Sequence, residues 1–224
     1  MRNRRIILLL LAVAVLVGVL VVVLPREREP EYGGKRLSEW VERYATPPHM
    51  RQTEEAADAI RHIGTNAIPY LLKWIKYDPP SWKNKLYKAL NFTFERVNRD
   101  WMLQDEQRDR ADRATMAFRA LGSEAEGAIP ELTRRMNDPK ANRSATRAVE
   151  VLADLRNSGL PPLLAAITNK QWVAEYVVHC LGLMGTNAGP AIPSLQHLLT
   201  DPEMRMRRVA TNALRKIDRG QEAD

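Results

Sequence analysis

The chain has 224 residues, of which 45% are hydrophobic and 27% are charged, a composition that excludes a disordered or collagen-like protein. Its net charge is +7, and Arg2, Arg4 and Arg5 contribute three of these charges. The remaining excess is mild and no nucleic-acid-binding motif accompanies it, which argues against a nucleic-acid partner. The single cysteine, Cys180, excludes an internal disulfide framework.

The amino-terminal segment predicts a membrane anchor. Residues 6–24 form a run of 19 uncharged, apolar residues, and a helix of that length spans about 28 Å, close to the bilayer's hydrocarbon thickness of about 30 Å. Arginines precede the run and the charges at 26–29 cancel, so the positive-inside rule places Met1 in the cytoplasm. We therefore predict a transmembrane helix over 1–24 and an extracytoplasmic domain.

The alternative is a cleaved signal peptide. The apolar core of a signal peptide is usually about 7–15 residues long and is followed by small residues at a cleavage site, whereas this run is longer and closes as Val-Val-Val-Leu-Pro. Residues 25–36 contain prolines, a Gly-Gly pair and alternating charges, which is typical of a linker.

An amphipathic helix is predicted next, over residues 37–45, because Leu37, Trp40, Val41 and Tyr44 share one helical face. Its apolar face would cover the exposed end of the segments that follow.

A repeated phrase then organises the chain. Ile-Gly-Thr-Asn-Ala-Ile-Pro at 63–69 returns in altered form at 121–130 and at 184–193. The prolines at 69, 130, 161 and 193 are separated by 61, 31 and 32 residues, so the unit is about 31 residues long. Repeats of this length are typical of stacked supersecondary units.

Each unit predicts two short helices. Glycines 64, 122 and 185 should end three of the first helices in a left-handed conformation, and the register prolines should lie in the first turn of the second helices. The residues expected in the core are Ala56, Ala59, Ile60, Ile63, Ala114, Ala117, Phe118, Leu121, Val151, Leu152, Leu155, Cys180, Leu181, Met184, Ala213, Leu214 and Ile217 on first helices, and Leu71, Ile75, Leu132, Met136, Leu163, Ile167, Leu195 and Leu199 on second helices.

Residues 79–111 fit the pattern poorly. Ala89-Leu90 follows Ala59-Ile60 by 30 residues, so we interpret the region as a degenerate unit with one helix within 81–97 and a short one near 100–107. A basic helix around 203–218 caps the other end, and 219–224 form a polar tail.

This pattern of helix, glycine, Ala-Ile-Pro, helix and Asp-Pro resembles HEAT repeats, in particular their short bacterial variety, over about residues 51–218. The resemblance implies a right-handed α-α superhelix, a solenoid of about five helical pairs over 37–218. It also implies a scaffold that binds other proteins without catalysis.

The expected binding surface follows from the second helices, which usually line the concave side of stacked helical pairs. Registering them by their prolines places two sets of polar or aromatic side chains along one groove. The candidate protein-binding residues are Tyr70, Lys73, Glu131, Arg134, Ser194 and His197. The competing interpretation is an ordinary solvated helix face.

No catalytic constellation is evident. The four histidines lack the spacing of a helical metal pair, and Cys180 occupies a slot that alanine fills in other units, as a packed thiol would. We expect no cofactor and no metal. The sequence therefore favours a membrane-anchored module, in a bacterial envelope, that binds a protein or peptide. The alternatives are an enzyme or enzyme partner resembling HEAT-like bilin lyases, or a passive envelope spacer.

Overall fold

The computed structural model describes residues 28–46, 50–95, 105–169 and 172–221. Within these ranges the chain is predominantly helical and its helices pack against one another, which confirms the predicted all-α class. The predicted membrane segment lies outside them. None of the helices inside them combines the length and the apolar character needed to cross a bilayer.

Among the described residues, the first element is a short antiparallel hairpin, in which Glu31 pairs with Arg36 and Tyr32 with Lys35. The strands are β1 (Glu31–Tyr32) and β2 (Lys35–Arg36), and the helices are α1 (Leu37–Ala45), α2 (Met50–Ile63), α3 (Ile68–Ile75), α4 (Ser81–Glu95), α5 (Glu106–Leu121), α6 (Ile129–Met136), α7 (Arg143–Asp154), α8 (Leu160–Thr168), α9 (Ala174–Leu183), α10 (Ile192–His197) and α11 (Met204–Gln221).

The hairpin occupies residues 31–36, the second half of the segment that the sequence suggested was a linker. Its turn is formed by Gly33 and Gly34, with φ angles of 56° and 74°, and a type I′ hairpin turn requires positive φ at both positions. The hairpin is tied to the helical part of the chain because the indole Nε1 of Trp40 donates to the carbonyl oxygen of Tyr32 at 2.9 Å. The phenol of Tyr70 likewise donates to the carbonyl oxygen of Arg28 at 2.7 Å.

The glycine of the repeated phrase has a positive φ in each of its three copies. Gly64, Gly122 and Gly185 have φ angles of 60°, 59° and 57°, and a 3₁₀ segment begins at each of them and leads to the next helix. The positive φ expected of these glycines is confirmed. At Gly122, however, ψ is −129°, so this residue lies in the mirror image of the β region, which only glycine adopts readily.

The longer helices pack in a row. In chain order α2, α5, α7, α9 and α11 each pack against the next, and the shorter helices α3, α6, α8 and α10 pack along them. Helix α1 packs against α2 and α5. One continuous cluster of buried side chains runs through all of these helices, so each helix shelters apolar surface of its neighbours.

The predicted core is buried with few exceptions. Leu199, expected in a core slot, is 39% exposed, whereas Leu198 is buried. The cause is local: α10 ends at His197 and residues 198–200 continue as a 3₁₀ turn, whose tighter winding rotates the next side chains away from the α-helical register.

Helix α4 does not take a place in this row. The sequence predicted a helix within 81–97 and the structure confirms it over Ser81–Glu95, but α3 packs directly against α5. None of the α4 side chains that the structure describes, at 81–87 and 89–91, is buried. Helix α4, which lies in the region interpreted as a degenerate repeat, is therefore inserted between two helices that contact each other. Of the short helix expected near 100–107, only its last residues are described, and they begin α5.

A buried arginine joins three helices at this point. Arg147 on α7 is 1% exposed. Its Nε donates to Asp112 on α5 at 2.7 Å, and its Nη1 donates to the carbonyl oxygens of Tyr77 at 2.6 Å and Ile75 at 3.4 Å. The charge of this side chain is thus compensated by a carboxylate and by carbonyl groups at the carboxyl end of α3, where the helix dipole is negative.

Candidate functional site

The six residues that the sequence singled out lie on three different short helices. Tyr70 and Lys73, on α3, line a cleft of about 560 Å³ whose other wall includes Arg28 and Pro30. The hydrogen bond from Tyr70 to the Arg28 backbone shows that the backbone preceding the hairpin covers part of this surface.

Glu131 and Arg134, on α6, bind each other. The guanidinium of Arg134 donates to both oxygens of Glu131 at 2.6 and 2.8 Å, and Lys76 is 2.6 Å from the same carboxylate. These hydrogen bonds from Arg134 and Lys76 lower the pKa of Glu131 to about 2, and the carboxylate in turn raises the pKa of Arg134. One carboxylate is thus shared by two cations, and the cluster retains a net charge of +1.

Ser194 and His197, on α10, line a second cleft of about 500 Å³ together with Ile167, Leu198 and Pro202. The clefts that contain the predicted residues are therefore separate. Each of the three short helices carries two of these residues. No cleft that the structure describes contains more than two of them.

A different cleft crosses three consecutive long helices. It has a volume of about 620 Å³, and α5, α7 and α9 all contribute to its walls. We call it the first-helix cleft, and its lining residues are Thr115, Met116, Arg119, Glu150, Ala153, Asp154, Arg156, Cys180, Leu183, Met184 and Asn187. Met116 is 39% exposed and Leu183 is 64% exposed, so apolar side chains face solvent between charged ones.

The charged groups of this cleft are held in place. Arg119 on α5 binds both carboxylate oxygens of Asp154 on α7, at 3.0 and 3.1 Å. The phenol of Tyr176 on α9 donates a hydrogen bond to Glu150 on α7. Because each contact joins neighbouring helices, the walls of the cleft are fixed relative to one another before anything binds.

The thiol of Cys180 lies in the wall of the cleft and is 4% exposed. Burial, with the nearby carboxylate of Glu150, raises the pKa of Cys180 to about 12. The thiolate is the nucleophilic form of cysteine, so at neutral pH this side chain is a protonated, packed thiol. The same two causes raise the pKa of Tyr176.

Arg156 has an unusual backbone in the same cleft. It occupies the position that Gly64, Gly122 and Gly185 fill in the other copies, and like them it has a positive φ, of 52°. A residue with a Cβ and a positive φ is strained, at a cost of about 1–3 kcal/mol. Strain of this kind is often found where the side chain has a function. In the sequence, this feature is visible as an arginine at a position where the other copies have glycine. Only the structure reveals the cleft beside it.

A polar cleft of about 750 Å³ lies between α4, α5 and the start of α7. Burial raises the pKa of Asp78, yet hydrogen bonds from Ser144 and Asn142 and the charge of Arg135 outweigh it and hold this pKa below its usual value. Asp105 is likewise paired, with Lys83 at 2.9 Å. These pairs tie the helices together. Among the described residues, no cluster of His, Cys, Asp and Glu side chains suits a metal ion.

No protein-family model matches this chain, and no curated protein matches it significantly. Its function must therefore be argued from its own residues.

Proposed function

We propose that this chain is a membrane-anchored, non-catalytic module of the HEAT-like solenoid type that binds another protein or peptide. The proposal draws on the recurrent glycine backbone and on the row of long helices over one continuous core. It draws equally on the uncharged run at residues 6–24. Modules of this architecture present extended surfaces rather than enclosed active sites.

The first-helix cleft is the best candidate for the binding surface, and its mixture of exposed apolar and charged side chains is the main support for a binding function. It offers exposed apolar side chains, Met116 and Leu183, beside charges of both signs on Arg119, Glu150 and Arg156. A partner segment with an apolar side chain between polar ones matches this pattern. Protein-binding surfaces commonly combine an apolar centre with a polar rim.

Binding is favoured over catalysis by the state of the reactive groups. The pKa of Cys180 is raised to about 12, which removes it as a nucleophile at neutral pH. The carboxylates in the cleft, Glu150 and Asp154, accept hydrogen bonds from Tyr176 and Arg119, so they are committed to holding helices together.

Site-specific photocrosslinking in the full-length protein tests the proposal. A photoreactive phenylalanine derivative replaces Leu183 in one variant and Met116 in another, and the matched control places it at Asn212, an exposed position on α11. We expect a discrete crosslinked partner from the two cleft positions and none from Asn212.

Two outcomes would overturn parts of the proposal. A partner crosslinked from Lys73 but not from Leu183 would move the site to the short helices and return it to the groove that the sequence suggested. Absence of a discrete partner at Leu183, Met116 and Lys73 would favour the passive spacer.

The anchor and its orientation form a separate part of the proposal. If the helical domain is extracytoplasmic, protease added to spheroplasts should digest it while protease added to intact cells with a sealed outer membrane should not. Protection in spheroplasts would reverse the orientation.

A further inference from the structure

Helix α4 carries an exposed apolar stripe. Trp82, Leu86 and Ala89 follow one another at spacings of four and three residues, which places them on one helical face. Trp82 is 64% exposed, Leu86 is 48% exposed, and Ala89 is exposed as well. Lys85, beside the stripe, is also exposed. A tryptophan and a leucine on the outside of a lysine-bearing helix are typical of helices that lie at a membrane surface.

The helix is held at a fixed place on the domain. The ammonium of Lys83 donates to Asp105 and to the phenol of Tyr77, each at 2.9 Å. The phenol of Tyr77 also donates to Asp105 at 2.9 Å. Since Asp105 immediately precedes α5, these bonds join the start of α4 to the core and leave the stripe turned away from it.

The distance from the predicted anchor to the domain is short. The uncharged run ends at Leu24, and Tyr70 binds the backbone of Arg28. Four residues span at most about 14 Å, and the headgroup layer accounts for about 5–8 Å of that distance. The surface around Tyr70 therefore lies next to the headgroups if residues 6–24 span the bilayer. This short tether keeps the helical domain, α4 included, within reach of the bilayer surface.

We propose that α4 lies on the bilayer surface, with Trp82 and Leu86 inserted at the level of the lipid headgroups and Lys85 beside the lipid phosphates. This inference rests on the proposed membrane anchor. It adds a second contact with the membrane, which fixes the orientation of the domain and hence the direction in which the first-helix cleft faces.

The test uses the full-length protein in vesicles of phosphatidylcholine and phosphatidylglycerol, with a proportion of brominated lipid that quenches tryptophan on contact. We expect brominated lipid to quench part of the tryptophan fluorescence, and Trp82→Phe to remove at least half of that quenching. The matched control is Trp172→Phe, since Trp172 is 48% exposed on a different part of the chain and its loss should leave the quenching unchanged.

A second variant guards against an indirect effect. Leu86→Glu changes an exposed side chain and should reduce the quenching of Trp82 at least twofold by lifting the stripe from the lipid. Leu199→Glu, a change at a leucine that is 39% exposed and lies outside both α4 and the first-helix cleft, should have no effect.

Flotation separates failure of the inference from failure of the anchor. If the protein leaves the vesicles under alkaline carbonate, the anchor is wrong and the inference falls with it. If the protein stays with the vesicles and Trp82→Phe leaves the quenching unchanged, the inference alone is wrong. Protection of Trp82 from both brominated lipid and aqueous acrylamide would assign the stripe to a protein contact such as a second copy, and would also overturn it.

Discussion

Replacing Arg147 by methionine should destabilise the protein substantially. The side chain is 1% exposed and makes one charge-assisted hydrogen bond to Asp112 and two to backbone carbonyl groups of Ile75 and Tyr77. Removing one partner of a buried ion pair costs about 3–5 kcal/mol. Methionine retains much of the apolar volume, and Asp112 is 35% exposed, so the loss should fall near the lower end, at about 3 kcal/mol. For a chain of this size that corresponds to a fall in Tm of about 6–12 °C.

Thermal unfolding followed by circular dichroism measures the effect, and Arg143→Met is the matched control. Arg143 binds the same carboxylate of Asp112, at 3.3 Å, but its side chain is 51% exposed, and an exposed pair contributes about 0–1 kcal/mol. A loss for Arg147→Met no greater than that for Arg143→Met would refute the reasoning.

The pH dependence of the free energy of unfolding, compared between the wild type and Arg147→Met, provides a second test. Burial raises the pKa of Asp112, but the hydrogen bonds and charges of Arg147 and Arg143 outweigh burial and lower it overall. A carboxyl group whose pKa is lower in the folded state stabilises the fold above its unfolded pKa of about 3.9. That contribution is lost as the pH falls through the folded-state value. The difference in the free energy of unfolding between the wild type and Arg147→Met should therefore be largest at pH 7. It should become smaller below about pH 4.

Three further substitutions test other features. Gly159→Ala should destabilise the protein by about 1–3 kcal/mol, because a Cβ there would lie 1.9 Å from the carbonyl oxygen of Leu152. Gly127→Ala is the control, because a Cβ added there would meet nothing within 4 Å. Urea unfolding should show a loss of stability for the first substitution and not for the second. Arg156→Gly should raise the free energy of unfolding by about 0.5–1 kcal/mol by relieving the positive φ, yet weaken binding in the photocrosslinking assay; an unchanged or lower stability would contradict the strain argument. Cys180, with a pKa raised to about 12, should react with iodoacetamide at least tenfold more slowly than a free thiol at pH 8, measured by mass spectrometry under native conditions, and unfolding in urea should restore the rate.

Local signals in the sequence were sufficient for the helices and for much of the core. The glycines of the repeated phrase have the predicted positive φ, because a backbone that only glycine tolerates leaves a mark at a single position. The spacing of alanines and leucines identified buried faces because residues three and four positions apart share one side of a helix. Both signals are local in the chain.

Packing between distant segments could not be obtained in this way. Helix α4 has the length and composition of a repeat helix, and Ala89-Leu90 has the right spacing from Ala59-Ile60. Whether such a helix joins the row depends on what α3 and α5 bury against each other, which periodicity does not report. The first-helix cleft was missed for a related reason. The spacing of apolar residues shows which side of α5 or α9 faces the core. It does not show where neighbouring helices lie far enough apart to form a cleft, as they do beside Met116 and Leu183.

The hydrogen bond between Tyr77 and Asp105, 2.9 Å long, brings together the two ends of the insertion that contains α4. A loop that leaves and re-enters a domain at one point can change in length at little entropic cost, since loop closure depends only logarithmically on length. Relatives of this protein could therefore carry a shorter tight turn or a whole additional domain here while the rest of the architecture stays intact. This junction is where lineages are expected to diverge most, and where a foreign sequence could be grafted with the least disturbance.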